Sequence, residues 1–289
     1  MVNRSRAARA AIVATLAALL SAGAAKAADG IEWHASLDEA LKASQASGKL
    51  VMLTLRTDWC TVCQQLAEES WPAEAVVKKS TEFECVKVDP EKVPVPVGYD
   101  TGEYPHILFL AADGEIVRDI GGFWPPDELV KEMTHAQEDL PKLREAQEIE
   151  RKVAKPEDDL AQAFRAGVLY AELGKAKKAI EWLKPVYEHP DALKTEDRPE
   201  LSLAYGSSLV MDLQYESALP ILRELVEKHP DYKRAREARF SLGVALLKTD
   251  HPAEARDIWA KLADESREDW FGQAAAHNVK VLDEMLGKR

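Results

Sequence analysis

"GKLVMLTLRTDWCTVCQQL" (48–66) decides how the first half of the chain is read. Its segment "LVMLTLR" (50–56) is apolar and short enough for a buried strand. Cys60 and Cys63 follow, and a stretch with helical character runs from them to roughly Glu69. A strand running in and a helix running out place Cys60 at a helix N-terminus. Free backbone N–H groups and the helix dipole favour a thiolate there. Cys63 lies one turn further in, close enough to close a disulfide. Cys60 is the candidate nucleophile toward a partner's disulfide, and Cys63 the residue that resolves the mixed disulfide. Trp59 would cover one side of the pair. A metal role fits poorly. Zinc wants four ligands, and neither Cys85 nor the scattered histidines offer a second half to this pair. Haem attachment needs His directly after the second cysteine, where Gln64 stands. A permanent staple across so short a loop would restrain the unfolded chain very little. Disulfide exchange is the reading that remains, with no metal and no cofactor beyond a redox-active Cys60–Cys63 disulfide.

Working outward, "SLDEALKASQASGK" places Ser36 and Glu39 in capping-box spacing, and Gly48 ends the helix they start. After the cysteine helix, Trp71-Pro72 forms a break, with Pro72 in the first turn of a second short helix, "AEAVVKKS". "FECVKVD" (83–89) reads as a strand. "HILFLA" (106–111), a turn at Asp113-Gly114 and "EIVRDI" (115–120) read as a hairpin. A last helix starts at Pro125 or Pro126. The order is helix, strand, helix, strand, strand, strand, helix, which is an α/β domain. Cys85, mid-strand, reads as a small core residue.

With that order on the page, "GKLVMLTLRTDWCTVCQQL" and "EYPHILFLAADGEIVRDIGGF" resemble the thioredoxin superfamily over roughly residues 31–136. Within it, "TDWCTVC", "ESWPAEAVV" and "GGF" are similar to the C-terminal periplasmic domain of DsbD-type reductases. The resemblance implies a cis peptide at Pro105, next to the disulfide in space. It also implies that the backbone of Tyr104 pairs with a bound substrate as an added strand. Trp59, Tyr104 and Pro105 are thus the candidate substrate-binding residues.

The chain departs from the pattern in three places. Thr54 stands where many members carry a buried acid, six residues before Cys60. "DPEKVPVPVGYDTGEY" (89–104) carries Pro90, Pro94 and Pro96 where a helix is usual, so a helix is not expected. Gln64 replaces a common Lys. Asp58 is near the pair in sequence, but its place before Trp59 points to the surface. His106 would influence the thiolate only if it faces the pair; an ordinary strand residue is the alternative. Between the cysteines, Thr61 and Val62 offer none of the histidine stabilisation of the strong oxidants. A reducing or intermediate potential, on the order of −200 to −270 mV, is expected.

Residues 137–156 are rich in Glu, Lys and Gln and read as an exposed connecting helix, broken at Pro141 and before Pro156. From 157 on the pattern is helical and repeats. Gly167, Gly206 and Gly243 are each followed twelve residues later by alanine (Ala179, Ala218, Ala255), and four further on by Leu183, Leu222 or Trp259. Each small pair lets two helices approach, and the large side chain fills the gap beside them. The glycines are 39 and 37 residues apart, near the tetratricopeptide period. "YAELGKAKKAIEWL" and "KHPDY" also resemble that (TPR) family, with 269–286 as a capping helix. In that register Phe164, Val168, Leu203, Val210, Phe240, Val244 and Leu247 fall on the inner face. They are candidates for a groove that takes an apolar or helical peptide, or else for internal packing.

The net charge of −12 argues against nucleic acid, whose phosphates need clustered Lys and Arg. Arg4, Arg6 and Arg9 precede "AAIVATLAALL", and "AKA" (25–27) offers small residues at cleavage spacing. This reads as a secretory signal peptide over 1–27; an uncleaved anchor is the alternative. Its removal takes three Arg, one Lys and no acid, moving the net charge to −16. Export permits the cysteine pair to oxidise and points to the periplasm. The domain reading is therefore 1–27 signal peptide, 28–136 thioredoxin-like domain, 137–156 connecting helix and 157–289 TPR-like repeats. The functional reading is an exported thiol-disulfide oxidoreductase acting on protein disulfides or dithiols. A membrane electron donor would feed it, and a protein or peptide partner would occupy the repeats. The alternative is a non-catalytic periplasmic scaffold that uses its thioredoxin-like domain for recognition.

Overall fold

A computed structural model describes residues 30–189, 194–265, 268–285 and 287. The signal-peptide segment 1–27 lies outside the described residues. The chain divides into two compact units, one up to Thr134 and one from His135 onward.

The first unit is a five-stranded sheet with helices. Its strands are β1 (Trp33–His34), β2 (Leu50–Leu55), β3 (Phe83–Val88), β4 (His106–Leu110) and β5 (Ile116–Gly121), in the order β1-β3-β2-β4-β5. β3 runs parallel to both β1 and β2, while β4 is antiparallel to β2 and β5. The short edge strand β1 has too few residues to show a period in sequence. β2 is buried along its whole length, which is why it reads as a continuous apolar run rather than an alternation.

Alternation sorts the sheet's two faces. Val51, Leu53, Leu55, Val86, Val88, Leu108 and Leu110 form a core with Ala40 of α1 (Leu37–Ser47). Thr54, Cys85 and Lys87, on the alternate positions, belong to the opposite face. Helix α1 starts as the capping spacing requires. The Glu39 N–H donates to Ser36 Oγ at 3.2 Å, and the Glu39 carboxylate accepts from the Ala35 N–H at 3.0 Å. Gly48 ends it with a φ of 76°, a left-handed conformation that glycine adopts without a Cβ penalty.

After β2 come α2 (Thr61–Gln65), a π-helical stretch Leu66–Ser70, and α3 (Glu74–Ser80). Ala73 caps α3, so Pro72 stands just before the helix and not in its first turn. Segment 89–104 contains no helix. Tyr99 and Val95 pack instead on the α1 face of the sheet, and the Tyr99 hydroxyl donates to the Gly114 carbonyl.

Helix α4 (Pro126–Lys152) corrects the expectation for 137–156 twice. It runs unbroken through Pro141, although it does end before Pro156 as expected, and the division between the units falls within it. It is also not an exposed connector: Leu129, Met133, Ala136, Leu143, Ala146 and Ile149 make a buried stripe. Proline removes one helical hydrogen bond, but Pro141 lies on the exposed side, and burial of the opposite stripe outweighs that local loss.

The second unit is all-α. Hairpins α5/α6 (Leu160–Glu172, Ala176–Glu188), α7/α8 (Arg198–Met211, Tyr215–Lys228) and α9/α10 (Ala235–Lys248, Pro252–Glu265) are followed by α11 (Trp270–Met285), which packs on α10 and α9. The glycine register explains how each hairpin closes. A Cβ on Gly167 would lie 2.4 Å from Leu183, one on Gly206 2.7 Å from Leu222, and one on Gly243 2.2 Å from Trp259 Nε1. The large residue of each second helix therefore fills the space over the glycine of the first. Among the described residues no helix is long and apolar enough to cross a membrane.

Candidate functional site

The strand-to-helix junction delivers the cysteines as a closed pair. Cys60 and Cys63 are joined by a disulfide with S–S 2.06 Å and Cα–Cα 5.2 Å. Cys60 is the N-cap of α2, and its Sγ accepts the Cys63 N–H at 3.0 Å. A backbone donor aimed at this sulfur favours negative charge on it when the bond opens. Both sulfur-bearing residues are mostly covered, with 4% of Cys60 and 7% of Cys63 accessible. Their neighbours Trp59 (63%) and Val62 (37%) are exposed and form an apolar shelf beside the disulfide.

The shelf is braced by the loop that replaces the usual helix. Trp59 Nε1 donates to both carboxylate oxygens of Glu91 at 3.1 Å. Its ring meets Tyr104 edge-on, centroids 6.0 Å apart. The Tyr104 hydroxyl donates to Asp100 at 2.8 Å. Asp58 is a surface residue, paired with Arg56 at 2.7 Å and with Lys92. The Lys92 hydrogen bond holds its carboxyl below the ordinary value.

The Tyr104–Pro105 peptide is cis. Pro105 and Cys63 line one small cavity of about 90 Å³ with Thr54, Arg56, Thr57, Leu66, Trp71 and Lys87. Trp59, Cys60, Cys63, Tyr104 and Pro105 thus gather at one end of the sheet. His106 does not join them: it is buried on β4, with Nε2 2.9 Å from Asp119 Oδ2. Cys85 is buried, and burial pushes its thiol up to about 12. Among the described residues no cluster of three or more His, Cys, Asp or Glu could hold a metal ion.

Lys87, Arg56 and Thr57 were not among the sequence candidates. A signal for Lys87 existed. It shares a strand face with Cys85, and the parallel register sets it directly beside Thr54.

Of the seven inner-face candidates in the second unit, Val168 and Leu203 line a cavity of about 270 Å³, with Met211, Ser207, Ser241 and Arg234 among its other walls. Both are buried, and Leu203 packs with Leu225 and Ala238. Phe240 is committed to an aromatic cluster with Trp259, Trp270 and Phe271. Phe164, Val210, Val244 and Leu247 are half-buried and do not line this cavity. The cavity wall is mixed in polarity, whereas the inner-face candidates are all apolar. The serines and Arg234 come from positions that a hydrophobic register passes over.

Residues 32–112 match a family model described as thioredoxin-like. A solved structure titled "DsbH Oxidoreductase" is 22% identical over 40% of this chain and 91% of that chain, with a TM-score of 0.32. The chain is an α/β thioredoxin-like domain followed by an all-α helical region.

Proposed function

We propose that this protein is an exported, periplasmic thiol-disulfide oxidoreductase that reduces or exchanges disulfides of other proteins through Cys60 and Cys63. One observation carries the reading: the disulfide sits at a helix N-terminus, with a backbone N–H on Cys60 Sγ and an exposed aromatic shelf beside it. A structural bond needs neither the shelf nor the donor.

In the reducing direction the Cys60 thiolate attacks one sulfur of the partner's disulfide. A Cys60–partner bond forms, and the other partner sulfur leaves as a thiolate. The Cys63 thiolate then attacks Cys60 Sγ and reforms the Cys60–Cys63 bond. The second partner sulfur is released, and two electrons have passed to the partner. A dithiol-bearing electron donor, held in the membrane, would restore the reduced pair. The helical repeats would bind a protein or peptide partner, which fits an all-α unit built of stacked hairpins.

The test is trapping. A Cys63→Ser variant should accumulate a mixed disulfide through Cys60 with oxidised substrate proteins, and Cys60→Ser should not. Equal behaviour of the two variants, or a wild-type pair that stays oxidised below about −300 mV, would make the bond structural.

A further inference from the structure

The loop that stands where a helix is usual holds apolar side chains out in solvent. In "VPVPV" (93–97), Pro94 and Pro96 have no backbone N–H to give to a helix or a sheet. Val95 packs on the sheet core, and Tyr99 anchors the chain just beyond. Val93 and Val97 stay outside, with 56% and 103% of them accessible, and Pro94 and Pro96 are exposed with them. Single exposed apolar residues are ordinary, but these are contiguous and adjoin the disulfide's shelf. Val93 follows Glu91 and Lys92, and its N–H donates to the Asp89 carbonyl at 2.9 Å. Glu91 holds the Trp59 indole, and Lys92 pairs with Asp58 beside it. The ledge at 93–97 is thus pinned to Trp59 from one side and to the core from the other.

The charges at this surface are unbalanced. Arg56 and Lys92 are both engaged by Asp58, and Lys92 also by Asp89 at 3.1 Å. Glu91 and Asp100 accept from neutral donors, the Trp59 indole, the Tyr104 hydroxyl and the Gly102 N–H, and so keep their full charge. Glu103, next to Tyr104, is exposed. Burial, then the Asp100 hydrogen bond and the charges of Asp100, Glu91 and Asp89, push the Tyr104 hydroxyl up to about 12. Asp58, Asp89, Glu91, Asp100 and Glu103 therefore stand against Arg56 and Lys92. A second copy of this chain, with its net charge of −12, would meet repulsion here, and a basic partner attraction.

We propose that segment 93–97 extends the substrate surface of the Cys60–Cys63 pair, and that this surface selects polypeptides carrying an apolar side chain and a Lys or Arg beside their disulfide. The apolar side chain lies against Trp59, Val93 and Val97 and removes them from water. The cation meets the charges of Glu91 and Asp100, which steer the encounter and disfavour acidic partners. The inference rests on the exchange reading and leaves its chemistry unchanged.

The experiment mixes the reduced full chain with short peptides that each close one disulfide, flanked either by Leu and Lys or by Leu and Glu. The thiols of Cys60 and Cys63 become a disulfide as the peptide's disulfide becomes a pair of thiols, read by mass spectrometry after acid quench. Each rate is divided by that of the same peptide with dithiothreitol, which removes the peptide's own reactivity. The Leu-Lys peptide should react about tenfold faster than the Leu-Glu peptide at about 20 mM salt, and less than about threefold faster at about 0.5 M. A ratio near one at low salt, or a ratio that salt leaves unchanged, would overturn the proposal. Val93→Ser combined with Val97→Ser should slow the Leu-Lys peptide about fivefold and a Ser-Lys peptide less than about twofold. Equal slowing of both would also overturn it. Hydroxyethyl disulfide, small and neutral, separates this inference from the reading beneath it. A reduced pair that reacts with neither it nor the peptides ends the exchange reading and this inference together. A pair that reacts with it but does not discriminate between the peptides ends this inference alone.

Discussion

The close approach at Gly243 sets a substitution whose outcome is decided by two opposed terms. Alanine is the better helix former, by about 1 kcal/mol over glycine in a helix interior. Against that, its Cβ would stand 2.2 Å from Trp259 Nε1, 2.5 Å from Cε2 and 2.8 Å from Cδ1. An ordinary contact is about 3.5–4.0 Å, so the indole must retreat by roughly 1 Å or more. Trp259 is fully enclosed, and its Nε1–H donates to the Phe240 carbonyl at 3.3 Å. Overpacking of this kind destabilises by about 1–3 kcal/mol, and loss of the hydrogen bond by about another 1 kcal/mol. The net expectation for Gly243→Ala is a destabilisation of about 1–3 kcal/mol.

The assay is urea unfolding of the full chain, followed by far-ultraviolet circular dichroism. Gly206→Ala should be milder, since its Cβ would meet the flexible Leu222 side chain at 2.7 Å. Gly121→Ala, with nothing within 4 Å, should be near neutral. In a Trp259→Leu background the penalty of Gly243→Ala should shrink by at least about 1 kcal/mol, the coupling expected of residues in contact. A Gly243→Ala protein as stable as wild type, or more so, would refute the argument that the glycine is there for the indole.

Three further outcomes are expected. In the native reduced protein, two thiols should react with a disulfide reagent near pH 8 and the third, Cys85, only after denaturation. With its thiol at about 12, its thiolate fraction there is on the order of 10⁻⁴; three fast-reacting thiols in the native protein would contradict the burial. Trp59→Ala should leave urea stability within about 0.5 kcal/mol, because the ring is exposed, yet lower kcat/KM for a protein disulfide about tenfold; unchanged turnover would remove Trp59 from the substrate surface. Asp58 has a depressed folded-state value, so whatever it contributes to stability is present above its unfolded value and is lost as pH falls through the folded one. Lys92→Met should move the Asp58 carboxyl back up toward 3.8, read by carbon NMR of the side chain, and no movement would rule Lys92 out as the cause.

Much of this protein is written in short-range pattern. The apolar run at 50–56, the caps at Ser36 and Gly48, and the Asp113-Gly114 turn each depend on residues a few positions apart, and they marked the elements of the first unit. The Gly167, Gly206 and Gly243 spacing likewise announced the helical hairpins and their contact residues, because a helix surface repeats with the sequence. Pro141 misled, since its local penalty is visible in sequence while the buried stripe that overrides it becomes decisive only against a packed neighbour.

The candidate site divides along the same line. Cys60, Cys63 and Trp59 are contiguous, and the junction of strand and helix orients them. Tyr104 and Pro105 came from a motif resemblance, and only the fold carries them to the disulfide. The cationic cavity was illegible beforehand: Thr54 and Lys87 become neighbours through the parallel register of β2 and β3. The inner face of the repeats stayed open between a groove and internal packing for a related reason, as a helical register says which side a residue occupies but not how deeply the next helix buries it. Residue order alone marked the longer elements of the first unit, the helical hairpins and the cysteine pair, because neighbours in the chain set backbone preference. Tertiary structure alone decided what surrounds that pair, because charge and solvent access at Cys63 are set by strands that meet only after folding.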